Sequence, residues 1–117
     1  MRILVVEDQA KMANFLKRGL KEAGYAVDVA ESGSAAESFC AESEYDLVIL
    51  DVMLTDGNGL EVCDELKKNR ETHDIPVLMM SAHAYFNEVT NTCKAQGFIS
   101  KPFDISDFVS KVGYYLH

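Results

Sequence analysis

The sequence predicts an α/β sandwich, a five-stranded parallel sheet covered by helices on both faces. Two observations carry that prediction. Short apolar runs rich in β-branched residues recur along the chain, each bounded by turn or polar residues, as strands buried on both faces are. Amphipathic stretches with apolar residues at three- and four-residue spacing fill the intervals, and strictly alternating strands and helices imply βαβ crossovers.

Ile3-Leu4-Val5-Val6 reads as the first strand. Met12, Phe15, Leu16, Leu20 and Ala23 then form a helical stripe that stops at Gly24, a natural C-terminal cap. Ala26-Val27-Asp28-Val29-Ala30 alternates and carries a charge, which suits an edge strand. Ser32 or Ser34 opens the second helix, with Ala36, Phe39 and Cys40 on one face. Leu47-Val48-Ile49-Leu50 is the third strand, followed by a stripe of Leu60, Cys63 and Leu66 with Glu61 and Glu65 outward. Val77-Leu78-Met79-Met80 is the fourth. The helix after it, between Ala84 and Ala95, is weakly written: Val89, Thr90 and Thr92 are poor helix formers, and Tyr85, Val89 and Cys93 alone keep step. Phe98-Ile99 is the last strand. A final helix follows Pro102, capped by Asp104 or Ser106, with Ile105, Phe108, Val109, Val112 and Leu116 inward. Tyr85, Tyr114 and Tyr115 are expected to cover core edges. There is no repeat, linker or low-complexity stretch.

The 117 residues, 48% of them hydrophobic, suffice for one domain spanning 1–117 with its own core. Eleven Lys and Arg against nineteen Asp and Glu give a net charge of −8, which argues against binding to nucleic acid or an anionic membrane. No apolar run approaches the ~20 residues of a membrane span, and the opening MRILVVEDQ is no signal peptide, so the expected location is cytoplasmic. Cys40, Cys63 and Cys93 lack metal-ligand spacing and read as reduced, small apolar residues.

The chemistry sits at strand ends. Ligands of open α/β sheets bind beyond the carboxyl ends of the strands, where the strand order reverses. Glu7 and Asp8 follow the first apolar run, Asp51 the third, Ser81 the fourth and Lys101 the fifth. In the flavodoxin-like order 2-1-3-4-5 the first and third strands are neighbours, so Glu7, Asp8 and Asp51 converge. Two unit charges ~5 Å apart repel by roughly 3 kcal/mol at an effective dielectric of about 20. Either one carboxylate is protonated or a cation sits among them. A hard divalent ion fits best, Mg²⁺ or Mn²⁺ in its place, with Asp51 as a nucleophile toward phosphorus and Lys101 and Ser81 holding phosphoryl oxygens. Taken alone, Asp51 reads more readily as a cap of the turn Asp56-Gly57-Asn58-Gly59, and Phe98 is core by default; His83, close after Ser81, reads as a rim residue.

Four short motifs, in the right order and strand register, resemble the receiver domain of two-component response regulators over essentially the whole chain: Ile3-Leu4-Val5-Val6-Glu7-Asp8, the stretch Asp46 to Leu60, Met80-Ser81-Ala82, and Lys101-Pro102-Phe103. The resemblance implies that Asp51 accepts a phosphoryl group from a sensor histidine kinase, a histidine phosphotransfer protein or a small phosphodonor. It implies Mg²⁺ held by Asp8, Asp51 and the backbone carbonyl of Met53, with Glu7 acting through a water. It further implies Lys101 paired with the phosphoryl group, and a switch in which Ser81 moves and Phe98 turns inward, reshaping the face of the fourth helix, fifth strand and fifth helix for an effector domain or target protein. Met53 and His83 flank the site where side chains tune hydrolysis. Such a domain catalyses only its own phosphorylation and dephosphorylation.

The chain departs from the family pattern in places. Ser81 replaces the commoner Thr, Phe98 the frequent Tyr, and the turn before Gly97-Phe98 is about two residues short. The acidic pair in that turn and the basic residue opening the last helix, both features of the winged-helix transcription-factor class, are absent. Two competing readings are weighed by residues. A haloacid-dehalogenase-like phosphatase needs a second Asp where Met53 stands, and a phosphorylation-independent interaction module has no need of an intact acidic pocket.

Overall fold

The computed structural model of the chain describes residues 1–54, 57–82 and 95–116. Its main sheet holds β1 (Arg2–Val6), β2 (Ala26–Ala30), β3 (Leu47–Asp51), β4 (Val77–Ala82) and β5 (Gly97–Lys101), in the order β2-β1-β3-β4-β5. All four adjacent pairs run parallel, the predicted arrangement. Helices α1 (Ala10–Glu22), α2 (Gly33–Glu42), α3 (Gly59–Lys68) and the C-terminal helix (Ile105–Leu116) cover it.

Period-two alternation splits the core into two layers. Ile3, Val5, Leu47, Ile49, Leu78 and Met80 point to one face, where they meet Leu16 and Leu20 of α1 and Phe108 and Val112 of the C-terminal helix. Leu4, Val6, Val48, Leu50, Val77 and Met79 point to the other, against Ala36 of α2 and Val62, Cys63 and Leu66 of α3. A side chain buried this fully contributes roughly 1.5–3 kcal/mol, so the continuous apolar runs pin both layers at once. β2, with Asp28 and Val29 only half-buried, is the edge strand its alternation predicted.

Helix ends follow their local chemistry. The Ser32 hydroxyl, not that of Ser34, accepts the Ala35 N–H at 3.1 Å and caps α2. Asn58 accepts the Leu60 N–H at 2.8 Å and caps α3. Asp104 rather than Ser106 starts the C-terminal helix, accepting the Ser106 N–H at 2.9 Å. Gly24 closes α1 at φ 99°, where the Gly24 N–H bonds the Lys21 carbonyl and the Tyr25 N–H the Leu20 carbonyl. That paired closure needs a left-handed residue, which glycine supplies without steric cost.

Three expectations are corrected. Phe15 is 46% exposed and Ala23 also faces solvent; the buried line of α1 is Ala13, Leu16 and Leu20. The buried stripe is therefore narrower than the periodic pattern. Tyr114 is 78% exposed and covers no core edge, whereas Tyr115 packs on the core beside Gly97. A two-residue antiparallel ladder, Met53–Leu54 with Gly57–Asn58, lies between β3 and α3 where a plain loop was read. The expected helix between Ala84 and Ala95, with Tyr85, Val89 and Cys93, falls almost wholly outside the described residues, as does Asp56. Cys40 and Cys63 are free thiols. No helix among the described residues is long and apolar enough to cross a membrane.

Candidate functional site

Register builds the site. β1 pairs with β3 through Val6 and Leu50, so Glu7 and Asp8 leave β1 beside the Asp51 end of β3. Asp51 pairs with Met80, which puts Ser81 one residue further on β4, and β4 pairs Ala82 with Lys101. Backbone bonds anchor these ends: Glu7 N–H to the Ala30 carbonyl, and Val52 N–H to the Met80 carbonyl, both at 3.0 Å.

The side chains then close on one another. The Lys101 ammonium donates to Asp51 Oδ2 at 2.7 Å and lies 3.7 Å from Glu7 Oε2. Asp51 Oδ1 accepts the Met53 N–H at 3.0 Å, so both oxygens of this buried carboxylate are oriented. That bond goes to Met53, outside the turn 56–59 of the capping reading, and it does not compete with the contact to Lys101. Glu7 is sealed from solvent, and neither of its carboxylate oxygens receives a hydrogen bond. Burial pushes its carboxyl up to about 8; the nearby Asp51 and the charge of Asp8 add to the rise, and Lys101 opposes it.

An unsatisfied buried carboxylate is costly unless a proton or a cation relieves it. Here Glu7 and Asp51 share one ammonium, with Asp8 next in sequence at the rim, and a donor set of carboxylate oxygens fits a hard cation. No group of three His, Cys, Asp or Glu side chains among the described residues closes into a ligand shell by itself.

Of the other candidates, Ser81 is buried at the end of β4. Asp8 is half-buried at the rim. Phe98 is half-buried on β5 and packs against the α2–α3 layer. The Met53 side chain is 60% exposed, next to the oriented carboxylate. His83 lies outside the described residues. What sequence reasoning missed is the Met53 N–H as a donor to Asp51. The only available signal was the habit of Asp side chains of bonding the backbone N–H two residues on.

A sequence profile described as the response regulator receiver domain matches residues 3–113. Among relatives, the transcriptional activator protein IrlR of Burkholderia pseudomallei is 38% identical over 117 residues, covering 96% of this chain and 48% of that protein. The response regulator ArlR of Staphylococcus saprophyticus is 32% identical, covering 95% and 50%. The chain thus spans about half the length of the curated relatives it matches. Among solved structures, the signal receiver domain of a signal transduction histidine kinase from Syntrophus aciditrophicus superposes with a TM-score of 0.91 at 31% identity, covering 98% of this chain and 89% of that one. The response regulator protein TrrA from Thermotoga maritima, solved in complex with Mg²⁺ and BeF, gives 0.86 at 32% identity and covers 98% of both chains. With the strand order, the acidic strand ends and a profile that runs almost from end to end, the chain belongs to the receiver-domain family of two-component response regulators, a family of signalling domains.

Proposed function

We propose that this domain, spanning 1–117, is a phosphorylation-controlled switch whose acceptor is Asp51. The observation that carries the reading is the Lys101 ammonium held 2.7 Å from Asp51 beside the buried, unsatisfied Glu7. A carboxylate oriented from both oxygens is prepared to attack phosphorus, and a nearby ammonium is prepared to take up the charge of the incoming phosphoryl oxygens. In the transfer, an Asp51 oxygen bonds to phosphorus while the donor's P–N bond to a histidine, or P–O bond to a small acyl phosphate, breaks. The leaving group keeps the electron pair, and an imidazole leaving group takes up a proton.

Mg²⁺, or Mn²⁺ in its place, would be held by Asp8, Asp51 and the Met53 carbonyl with Glu7 acting through a water; when bound it neutralises phosphoryl oxygens. Lys101 orients the acceptor beforehand and pairs with the product. Hydrolysis reverses the state: water attacks phosphorus, the bond to Asp51 breaks, and inorganic phosphate leaves. The side chains of Met53 and His83 set how readily that water arrives.

Phosphorylation adds about −1.5 to −2 charges and three acceptor oxygens at the tip of β3. The Ser81 hydroxyl is drawn to them, Phe98 fills the space it leaves, and the surface around β5 and the C-terminal helix changes shape. A population shift of this kind needs only a few kcal/mol of differential interaction. The partners are a sensor histidine kinase or histidine phosphotransfer protein upstream and an effector domain or target protein downstream, in the cytoplasm. The net charge of −8 leaves no role for the domain itself on nucleic acid or membrane.

The test is incubation with Mg²⁺ and acetyl phosphate or phosphoramidate, read by intact mass. The expected result is a gain of one phosphoryl group in the parent and none in Asp51→Ala. A gain that survives in Asp51→Ala refutes the assignment, and turnover of a generic phosphate ester would favour a phosphatase.

A further inference from the structure

We infer that Gly59 is a positioning residue for the Asp51 acceptor: the missing side chain at the start of α3 lets the helix seat directly on the Asp51 peptide and so fixes the carboxylate between Lys101 and the Met53 amide. The inference rests on Asp51 being the acceptor. A β-carbon built on Gly59 overlaps the Asp51 carbonyl oxygen and comes within 2.9 Å of the Asp51 carbonyl carbon and of Val52 Cα. All three are backbone atoms and cannot swing aside as a side-chain tip can. Conformational freedom is not the reason for a glycine here, since Gly59 is not at positive φ. The reason is space.

Neither side of the contact is loose. The Gly59 N–H donates to the Val52 carbonyl at 2.7 Å, and Asn58 caps the helix through the Leu60 N–H. The β3 end is tied into the sheet by the Val52 N–H bond to Met80. A methyl group at 59 therefore either lifts α3 off, breaking the Gly59–Val52 bond, or pushes the Asp51 peptide. Both outcomes move a carboxylate whose two contacts are 3.0 Å and 2.7 Å long. A misplacement of about 1 Å can cost ~100-fold in rate.

Gly19 provides the contrast. A β-carbon there meets the Ile105 side chain, at 2.6 and 2.7 Å, which can rotate away and lies on the opposite face of the sheet from α3. Gly19 lies inside α1 and Gly59 at the first position of α3, so each substitution keeps a helical residue, with the larger propensity gain at Gly19. The two variants differ in what the added methyl strikes.

The experiment compares the full chain with Gly59→Ala and Gly19→Ala, at a temperature where circular dichroism shows each folded and with saturating Mg²⁺. The initial rate of phosphoryl uptake is followed by intact mass across acetyl phosphate concentrations. The expected result is a maximal rate at least tenfold lower in Gly59→Ala, with little change in the half-saturating donor concentration, and a rate within twofold of the parent in Gly19→Ala. A purely structural role would lower both variants in step with their stability, and that outcome overturns the proposal, as does a parent-like Gly59→Ala. Should Gly59→Ala not fold, Asn58→Ala carries the test: it withdraws the cap that seats α3 and adds no bulk. A two- to fivefold slower rate is expected from it, and an unchanged rate overturns the proposal. A parent that labels elsewhere than Asp51, or not at all, defeats the acceptor reading and the inference with it; a parent that labels on Asp51 beside an unimpaired Gly59→Ala defeats the inference alone.

Discussion

Lys101→Met keeps much of the stem and deletes the charge, leaving Asp51 and Glu7 buried without their ammonium. At the observed 2.7 Å, an effective dielectric of about 20 gives an attraction to Asp51 of roughly 6 kcal/mol, to which Glu7, lifted to about 8 and so mostly protonated at pH 7, adds a small part of the roughly 4 kcal/mol that its ionised form would give at 3.7 Å. Desolvation of the ions cancels much of that sum, and cutting one partner from a buried pair costs about 3–5 kcal/mol in practice. Two features place this site at the lower end. The lysine side chain is 24% exposed, so solvent screens part of the pairing. Glu7, already lifted to about 8, also loses the one influence that opposes its rise, and so holds its proton more firmly once the lysine is gone. The expected loss is about 3 kcal/mol, measured by urea unfolding at pH 7 in EDTA. With a urea slope of ~1.5 kcal/mol per molar, the midpoint falls by roughly 2 M. Saturating Mg²⁺ should recover part of the loss, because an ion bound by the folded state alone stabilises it by mass action. A variant within about 0.5 M of the parent in EDTA would refute the view that Lys101 neutralises this pocket.

Three further outcomes follow from the packing. Tyr45 is buried and donates to Asp28 at 2.8 Å; burial, then the hydrogen bond and charge of Asp28, raise its phenol well above its ordinary value. The unfolded chain releases that proton above pH ~10 while the folded protein keeps it, so this contribution is whole below pH 10 and is lost above it at about 1.4 kcal/mol per pH unit. Tyr45→Phe should cost about 1 kcal/mol at pH 7 yet flatten the alkaline fall, and an unchanged slope between pH 10 and 11 would sink the assignment. Ser32→Ala should cost about 1 kcal/mol in chemical denaturation, since the Ser32 hydroxyl caps α2, and an unchanged midpoint would refute that role. Phe108→Ala, emptying a fully buried site stacked on Phe103, should cost about 3–5 kcal/mol; a loss under 1 kcal/mol would mean the layer under the C-terminal helix is not packed as described.

Much of this architecture is written locally. The runs from Ile3 and Leu47 are continuous because both faces of their strands are buried, and β2 alternates because it is an edge. The strand order rests on the flavodoxin-like arrangement rather than on these runs, and the sheet adopts it. The cluster at the strand ends is legible as well, because Glu7, Asp51 and Ser81 each stand directly after an apolar run and Lys101 one residue beyond Phe98-Ile99. Where the reading slipped, local pattern and tertiary context disagree. Phe15 recurs with Leu16 and Leu20, yet the buried line runs through Ala13, Leu16 and Leu20 and leaves Phe15 exposed, since spacing alone does not say which edge of an apolar arc meets the sheet. Tyr114 and Tyr115 are identical in sequence, and a rotation of one residue around the helix separates an exposed ring from one seated on Gly97. The perturbation of Glu7 is invisible in sequence for a different reason: it depends on total exclusion of water and on how far Lys101 reaches, neither of which any single residue encodes.

That reach explains why the strand ends carry the residues they do. Adjacent strands lie ~4.8 Å apart, so Asp51 on β3 and Lys101 on β5 are separated by about 10 Å across β4. Lys101 also pairs with Ala82, two residues beyond the Met80 that pairs with Asp51, which adds ~7 Å along the strands. Only a long, flexible stem closes such a gap, and the 2.7 Å contact shows that it is closed. On β4, one residue past Met80, a serine hydroxyl needs no stem at all. Side-chain length thus tracks strand distance from the carboxylate: short on the neighbouring strand, long on the one beyond. The same geometry explains how the pocket is tolerated. Anchored a strand away from β4, the lysine contributes its charge to the carboxylates through a flexible stem.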